Sequence, residues 1–256
     1  MTTLPPKLGR TVDAPPDPLT IAPPRKEQFM PATIEFRVRT GVLAAVSYVV
    51  FFVLSLVLPG LLGQNRGASI VTPYSTNSEV AAYLAATSHG GPPIAAFCQA
   101  LSGLALLVFA GWSASYLHRL DAHAALARSA GIAAAVFLLL SASAQWILSL
   151  PGIADNLAVY RAVTDLSFTT GAAVQVATTG LLTAAVSAGA RDRLPKWLAW
   201  FGLGVAALSV LSLLSVLAKG FSPFLPIGRY LGMAWFLGLA ALLPRRAGRR
   251  ARAATP

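Results

Sequence analysis

Charge is what this chain has least of. Only 11% of its 256 residues are Asp, Glu, Lys or Arg, against about 25% in an ordinary soluble domain. Acid is scarcer still, with nine Asp and Glu in all. A chain this poor in polar groups cannot cover a water-facing globule, which excludes an ordinary cytosolic enzyme and a disordered polymer. There is one cysteine, Cys98, inside an apolar run, so there is no disulfide framework, no CxxC pair and no zinc set. Three histidines remain, His89, His118 and His123. None falls in the middle of an apolar run, which argues against paired-histidine haem ligation. His118 and His123 are five apart and fall on different helical faces, and a membrane di-iron site needs many more ligands. No metal and no cofactor is expected.

What is present is hydrophobicity, 55% of residues with a mean hydropathy of +0.65, arranged in long charge-free runs. About 20 apolar residues cross ~30 Å of hydrocarbon as a helix, and helix satisfies every backbone group without water. Five runs meet that length: Gly41 to Gly63, Pro93 to Leu117, Gly131 to Leu150, Leu166 to Ala190 and Trp197 to Ala218. A sixth is short. Only Tyr230 to Pro244 is free of charge, and fifteen residues at ~1.5 Å each fall short of a crossing. A full span ending at Leu243 has to start near Phe224, which puts Arg229 inside it. The expected fold is an all-α bundle of six membrane helices over residues 35–244. A Pro-rich arm (1–34) and an Arg-rich tail (245–256) flank it.

The net charge of +11 does not point to nucleic acid, because the basic residues cluster at the ends of the apolar runs. With the N-terminus in the cytoplasm, sixteen Lys and Arg lie inside and only Arg66, Arg161, Lys219 and Arg229 lie outside. That asymmetry predicts both termini cytoplasmic. Basic flanks also suit anionic lipid, so membrane lipids are the expected partners. The arm, with Pro5-Pro6, Pro15-Pro16 and Pro23-Pro24, reads as extended and solvated, and it lacks the apolar core of a secretory signal. Between spans one and two, Glu79 to Leu84 reads as a short outer helix capped by Asn77 or Ser78. Residues 151–165, with Asp155 and Asp165, read as a second outer segment.

No carboxylate falls in any of the six runs, which disfavours ion-coupled transport and intramembrane aspartyl chemistry. Ser215 and Lys219, four apart, could form a dyad, with a snorkelling lysine as the plainer reading. The polar residues that do enter the membrane share a depth. Gln99, Gln145 and Gln175 lie ~8–14 Å below the expected outer boundary, close to the level of Arg229. One reading is a polar pocket in the outer half. Arg229 would be its cation, Gln99, Gln145 and Gln175 its hydrogen-bonding groups and Asp165 the counter-ion, with Trp146 and Trp235 as walls. It would take a lipid headgroup or a small anionic amphiphile, since Arg offers a planar donor fork. The other reading is helix–helix adhesion through buried amides. An uncoupled transporter of an apolar solute, or an enzyme using Asp155, Asp165 or Glu79, are the alternatives in function.

In the C-terminal half, Asp165-Leu166-Ser167-Phe168, Leu194-Pro195-Lys196-Trp197-Leu198-Ala199-Trp200 and Pro226-Ile227-Gly228-Arg229-Tyr230 with Trp235 resemble a group of uncharacterised actinobacterial integral membrane proteins with about six spans. The likeness covers roughly residues 150–245. It implies a multi-pass protein of the bacterial inner membrane and supplies no activity.

Overall fold

The computed structural model describes residues 30–62, 71–86, 92–120 and 123–253, with side chains from 39 to 242 within those ranges. The arm up to residue 29, the Gln64-Asn65-Arg66 stop and His89-Gly90-Gly91 lie outside them. Among the described residues there is no strand. The helices are α1 (Met30–Leu61), α2 (Asn77–Ala86), α3 (Pro93–His118), α4 (Ala124–Leu148), α5 (Leu157–Phe168), α6 (Gln175–Gly189), α7 (Lys196–Leu211) and α8 (Phe224–Ala253). Thr169–Val174 joins α5 to α6 as one wide π turn, and short 3-10 turns at Ser212–Val216 and Lys219–Phe221 lead from α7 into α8. Six of the resulting helical stretches are long and apolar enough to cross a membrane.

Polarity runs inside out. Phe97, Leu104, Val108, Val136 and Leu140 are exposed on the outer faces of α3 and α4, while Gln99, Ser102, Ser113 and Ser141 on the same helices are buried. That arrangement suits lipid as the surrounding solvent and gives a multi-pass membrane protein. Lipid tails are as apolar as leucine, so association rests on close packing, and small residues supply it. A Cβ on Gly202 would lie 3.0 Å from Trp235 Cδ1 and overlap the Ser187 hydroxyl. Gly204, two residues on, looks into open space. The centre is aromatic, with Phe236 packed against Phe109 at 4.9 Å, Tyr48 at 5.1 Å and Trp235 at 5.3 Å between ring centroids.

Several boundaries differ from those expected. Helix α1 begins at Met30, inside the stretch read as arm, because Pro31 is tolerated in a first turn. Helix α4 begins at Ala124, seven residues early, with Arg128 exposed on its first turns. The largest change is in the fourth span. Residues 157–165, read as an outer loop, are helical, and Asn156 caps them by accepting the Ala158 and Val159 N–H groups at 3.2 Å each. The charges that suggested a loop, Arg161 and Asp165, satisfy each other one turn apart at 4.0 Å. Backbone in α8 stays helical to Ala253, well into the stretch read as tail, where Ala and Arg are good helix formers.

Helix α2 packs on the same end of the bundle as residues 149–156 and 212–223. Val80 is buried against Leu148 and Tyr160. Arg161 Nη1 donates to Asn77 Oδ1 at 2.5 Å, Tyr74 Oη donates to the Ser215 carbonyl, and Lys219 Nζ lies 6.0 Å from the Tyr74 ring centroid. Ser215 and Lys219 are separated by extended backbone at Ala218, so they do not share one helix face. At the opposite end Arg191 stacks on Trp200 at 4.8 Å, with Trp197 and Trp200 exposed as interfacial anchors.

The cap of α2 is Thr76, one residue before the expected pair. Thr76 N–H donates to Glu79 Oε2 at 2.6 Å, and the Glu79 N–H donates to Thr76 Oγ1 at 3.3 Å. This is a reciprocal capping box. The backbone bond from Thr76, followed by its hydroxyl, holds the Glu79 carboxyl below the ordinary carboxylate range. The folded value lies below the unfolded one, so the cap contributes fully above the unfolded value and is lost as pH falls through the folded one. Amide exchange at Glu79 and Val80, corrected for intrinsic rate, is expected to rise below pH ~4. In Thr76→Ala it is expected to be fast at every pH, and an unchanged Thr76→Ala profile would contradict the cap.

Candidate functional site

The fourth span supplies the site's central irregularity. In a regular α-helix the Gln175 N–H would bond the Gly171 carbonyl. Here it bonds the carbonyls of Thr170 and Ala172, and the Gly171 carbonyl turns instead to Arg229, accepting from Nη2. Inserted π turns recur at functional sites because they redirect backbone groups in this way. The hydroxyls of Thr169 and Thr170 bond back to the carbonyls of Asp165 at 2.8 Å and Leu166 at 2.7 Å, occupying acceptors at the start of the turn.

Arg229 enters from α8, five residues past its start, and its side chain points into the bundle. Nη2 also reaches Gln175 Oε1 at 3.4 Å, and the guanidinium carbon stands 4.8 Å from the centroid of the Phe52 ring on α1. Nε is buried with no hydrogen-bond partner among the described residues. Among the described residues no carboxylate pairs with it, and Asp165, the expected counter-ion, pairs with Arg161.

The guanidinium borders a cavity of about 420 Å³, within the ~300–1,000 Å³ usual for ligand sites. Gln99 and Gln145 line it with Arg229. Gln99 Nε2 donates to Ser141 Oγ at 3.0 Å, and Ser141 Oγ donates to the Ser167 carbonyl at 2.9 Å, giving a polar floor across α3, α4 and α5. Gln145 is half-buried, and its amide meets no partner among the described residues. The rest of the wall is largely apolar, with Phe52, Leu56, Pro59, Leu148 and Phe168 below Val71 and Tyr83 on the α2 side. Burial lifts the Tyr83 phenol above its ordinary value, against a smaller lowering from its hydrogen bond to Tyr160. It therefore stays a neutral hydrogen-bonding group.

Three of the five expected site residues therefore meet at one cavity. Gln175 lies just beneath it. The fourth span starts nine residues earlier than expected, and Gln175 sits one turn past Gly171. There it donates to Thr179 Oγ1 at 2.9 Å and to Tyr48 Oη at 3.5 Å. A small pocket of about 10 Å³ lies among Tyr48, Gln175, Gly228 and Arg229, and the Gln175 amide oxygen accepts from Arg229 Nη2 at 3.4 Å, so it props the guanidinium from below. Asp165 stands outside the lining, partly exposed on α5. Trp146 faces outward, and Trp235 is buried in the core with its indole N–H on the Leu198 carbonyl at 3.2 Å, so neither is a wall. None of Glu79, Asp155 and Asp165 lines the cavity. Among the described residues no cluster of His, Cys, Asp and Glu is large enough to hold a metal ion.

Sequence reasoning missed Ser141, Ser167, Gly171 and Tyr160. The serines carry no distinguishing signal among many in the spans. Gly171 stands out only once Ser141 is known to face it. A search of protein-family models, characterised proteins and solved structures found no match to this chain.

Proposed function

We propose that this protein is a multi-pass protein of the bacterial inner membrane that holds the anionic head of a lipid or small amphiphile in the cavity around Arg229. Both termini face the cytoplasm and the α2 end faces outward, a reading carried by the excess of Lys and Arg at the other end. The observation that carries the function is a largely buried guanidinium, its Nε out of reach of solvent, with no carboxylate partner among the described residues, at the edge of a cavity whose remaining wall is mostly apolar. A charge taken out of water is costly unless paired, so an anion entering the cavity gains more from Arg229 than it would from an exposed arginine. The absence of carboxylates from the described lining residues favours binding over acid–base chemistry.

The test is what the protein keeps on purification. Wild-type protein in mild detergent is expected to release a stoichiometric anionic amphiphile on organic extraction, identified by mass spectrometry. Ala95 is buried and lines the cavity, so Ala95→Phe should fill the space and lose that molecule. Equal retention by Ala95→Phe, or no amphiphile above the detergent background in wild type, would contradict the reading.

One observation favours a second reading, an uncoupled transporter. Gln175, Thr179, Thr183 and Ser187 follow one face of α6 at four-residue spacing, all buried, and the hydroxyls of Thr183 and Ser187 have no partner among the described residues. A conducting path along that face predicts that Thr183→Cys reacts with a membrane-impermeant thiol reagent. A buried, unreactive thiol removes the path and leaves the binding reading in place.

A further inference from the structure

We infer that the cavity selects for charge number, and that its ligand is a monoanion carrying an apolar chain, a carboxylate or a phosphodiester rather than a phosphomonoester or diphosphate. This rests on the binding reading above and narrows it.

The argument is a charge count in a poor dielectric. Among the described residues that line the cavity, Arg229 is the only Lys or Arg, and no Asp or Glu joins it there. Gln99, Gln145, Tyr83, Tyr160, Thr164 and Ser167 offer hydrogen bonds but no charge. The nearest other cation on the α5 wall, Arg161, is committed to Asp165 at 4.0 Å and Asn77 at 2.5 Å, outside the lining. One negative charge therefore neutralises the site. A second would sit uncompensated where Coulomb energies are several times those in water, and a neutral head would leave the guanidinium unpaired.

Donor geometry agrees with a small anionic head. Nη2 is spent on the Gly171 carbonyl and the Gln175 amide and Nε is buried, which leaves Nη1, without a partner among the described residues, as the donor for a ligand. The half-buried Gln145 amide, also without a partner, is the second polar contact on the wall. Phosphate recognition at higher charge normally draws on several cations or a helix N-terminus with free N–H groups; among the described residues the lining holds one cation, and where the first turn of α3 borders it Pro93 has no N–H and the Ala95 N–H is already on the Pro92 carbonyl at 3.1 Å. Leu56, Pro59, Val71, Leu148 and Phe168 then give the chain an apolar bed.

Four probes separate these possibilities in one assay, using full-length protein stripped of lipid in maltoside micelles at pH 8. Laurate and lysophosphatidylglycerol each carry one negative charge, dodecanol carries none, and dodecyl phosphate carries close to two, its second pKa being ~6. Native mass spectrometry or tryptophan quenching gives the apparent Kd. At least one monoanion is expected to bind ~10-fold or more tighter than both dodecanol and dodecyl phosphate, a difference of about 1.4 kcal/mol. Which monoanion wins distinguishes a fatty-acid source from a phosphodiester lipid.

Gln145→Leu, which breaks no bond to a described residue, is expected to weaken the preferred monoanion by threefold or more with an unchanged melting temperature. If dodecyl phosphate binds as tightly as the monoanions, the charge rule is wrong while anionic binding stands. If dodecanol matches them, both this inference and the reading beneath it fall. If acetate or inorganic phosphate competes at the same concentration as the chain-bearing probes, the apolar half of the inference is wrong.

Discussion

Replacing Arg229 with methionine is expected to abolish amphiphile retention while leaving the protein folded. Hydrogen bonds to a charged group contribute ~1.5–3 kcal/mol, so binding should weaken by at least tenfold and up to about a hundredfold. Stability responds to two opposing effects. The Gly171 carbonyl loses its Nη2 donor, which costs about 1 kcal/mol. Against that, a desolvated guanidinium with an unpartnered Nε is removed, and replacing buried charge by an apolar group of similar length is often neutral or stabilising. The melting temperature in detergent should therefore move little.

The opposite pattern, a lower melting temperature with undiminished retention, would assign Arg229 to helix adhesion, the alternative that sequence alone left open. Arg229→Lys should fall between. It keeps the charge, but its compact ammonium cannot serve Gly171 and a ligand through the same planar fork.

The second large effect is at Gly171. A methyl group there would overlap Ser141 Oγ, lie 2.5 Å from Ser141 Cβ and approach Gln99 Nε2 to 3.3 Å. Ser141 cannot simply rotate away, because its hydroxyl is held between Gln99 Nε2 at 3.0 Å and the Ser167 carbonyl at 2.9 Å. Gly171→Ala must push the π turn and α4 apart, and overpacking of this kind costs about 1–3 kcal/mol. The floor of the cavity moves with it, so melting temperature and retention should fall together. The double variant Gly171→Ala/Ser141→Gly removes both overlapping atoms and should recover part of the stability lost by Gly171→Ala alone, a coupling expected only of residues in contact. Simple additivity of the two changes would contradict the close approach.

How far the sequence alone reached depended on the physics behind each reading. The spans were legible because hydrocarbon thickness sets a length, and Arg229 emerged for the same reason, since the run after it was too short to cross. The pairing of Gln99 and Gln145 with Arg229 followed from depth counted along helices whose ends were well placed. The same count put Gln175 near the level of Arg229, which its amide meets at 3.4 Å, although it began the fourth span too late. Arg161 and Asp165 looked like loop charges, so that span was started at Leu166 and not at Leu157. Asn156, a good capping residue just before Leu157, was the available sign of the earlier start. Trp235, six residues past Arg229 on one helix, lies more than a turn deeper, which rise per residue already implied. The π turn had no such sign, because its register is set by what Gly171 meets across the bundle and not by local propensity.

A density map of the full-length protein in lipid nanodiscs tests the central claim most directly. The account predicts that the Arg229 guanidinium points into the space between Gln99 and Gln145, with elongated density whose head lies within ~3 Å of Nη1 and whose chain runs along Leu56 and Leu148. A guanidinium turned outward to the lipid headgroups, or a cavity filled by side chains from α1 and α4, would contradict it.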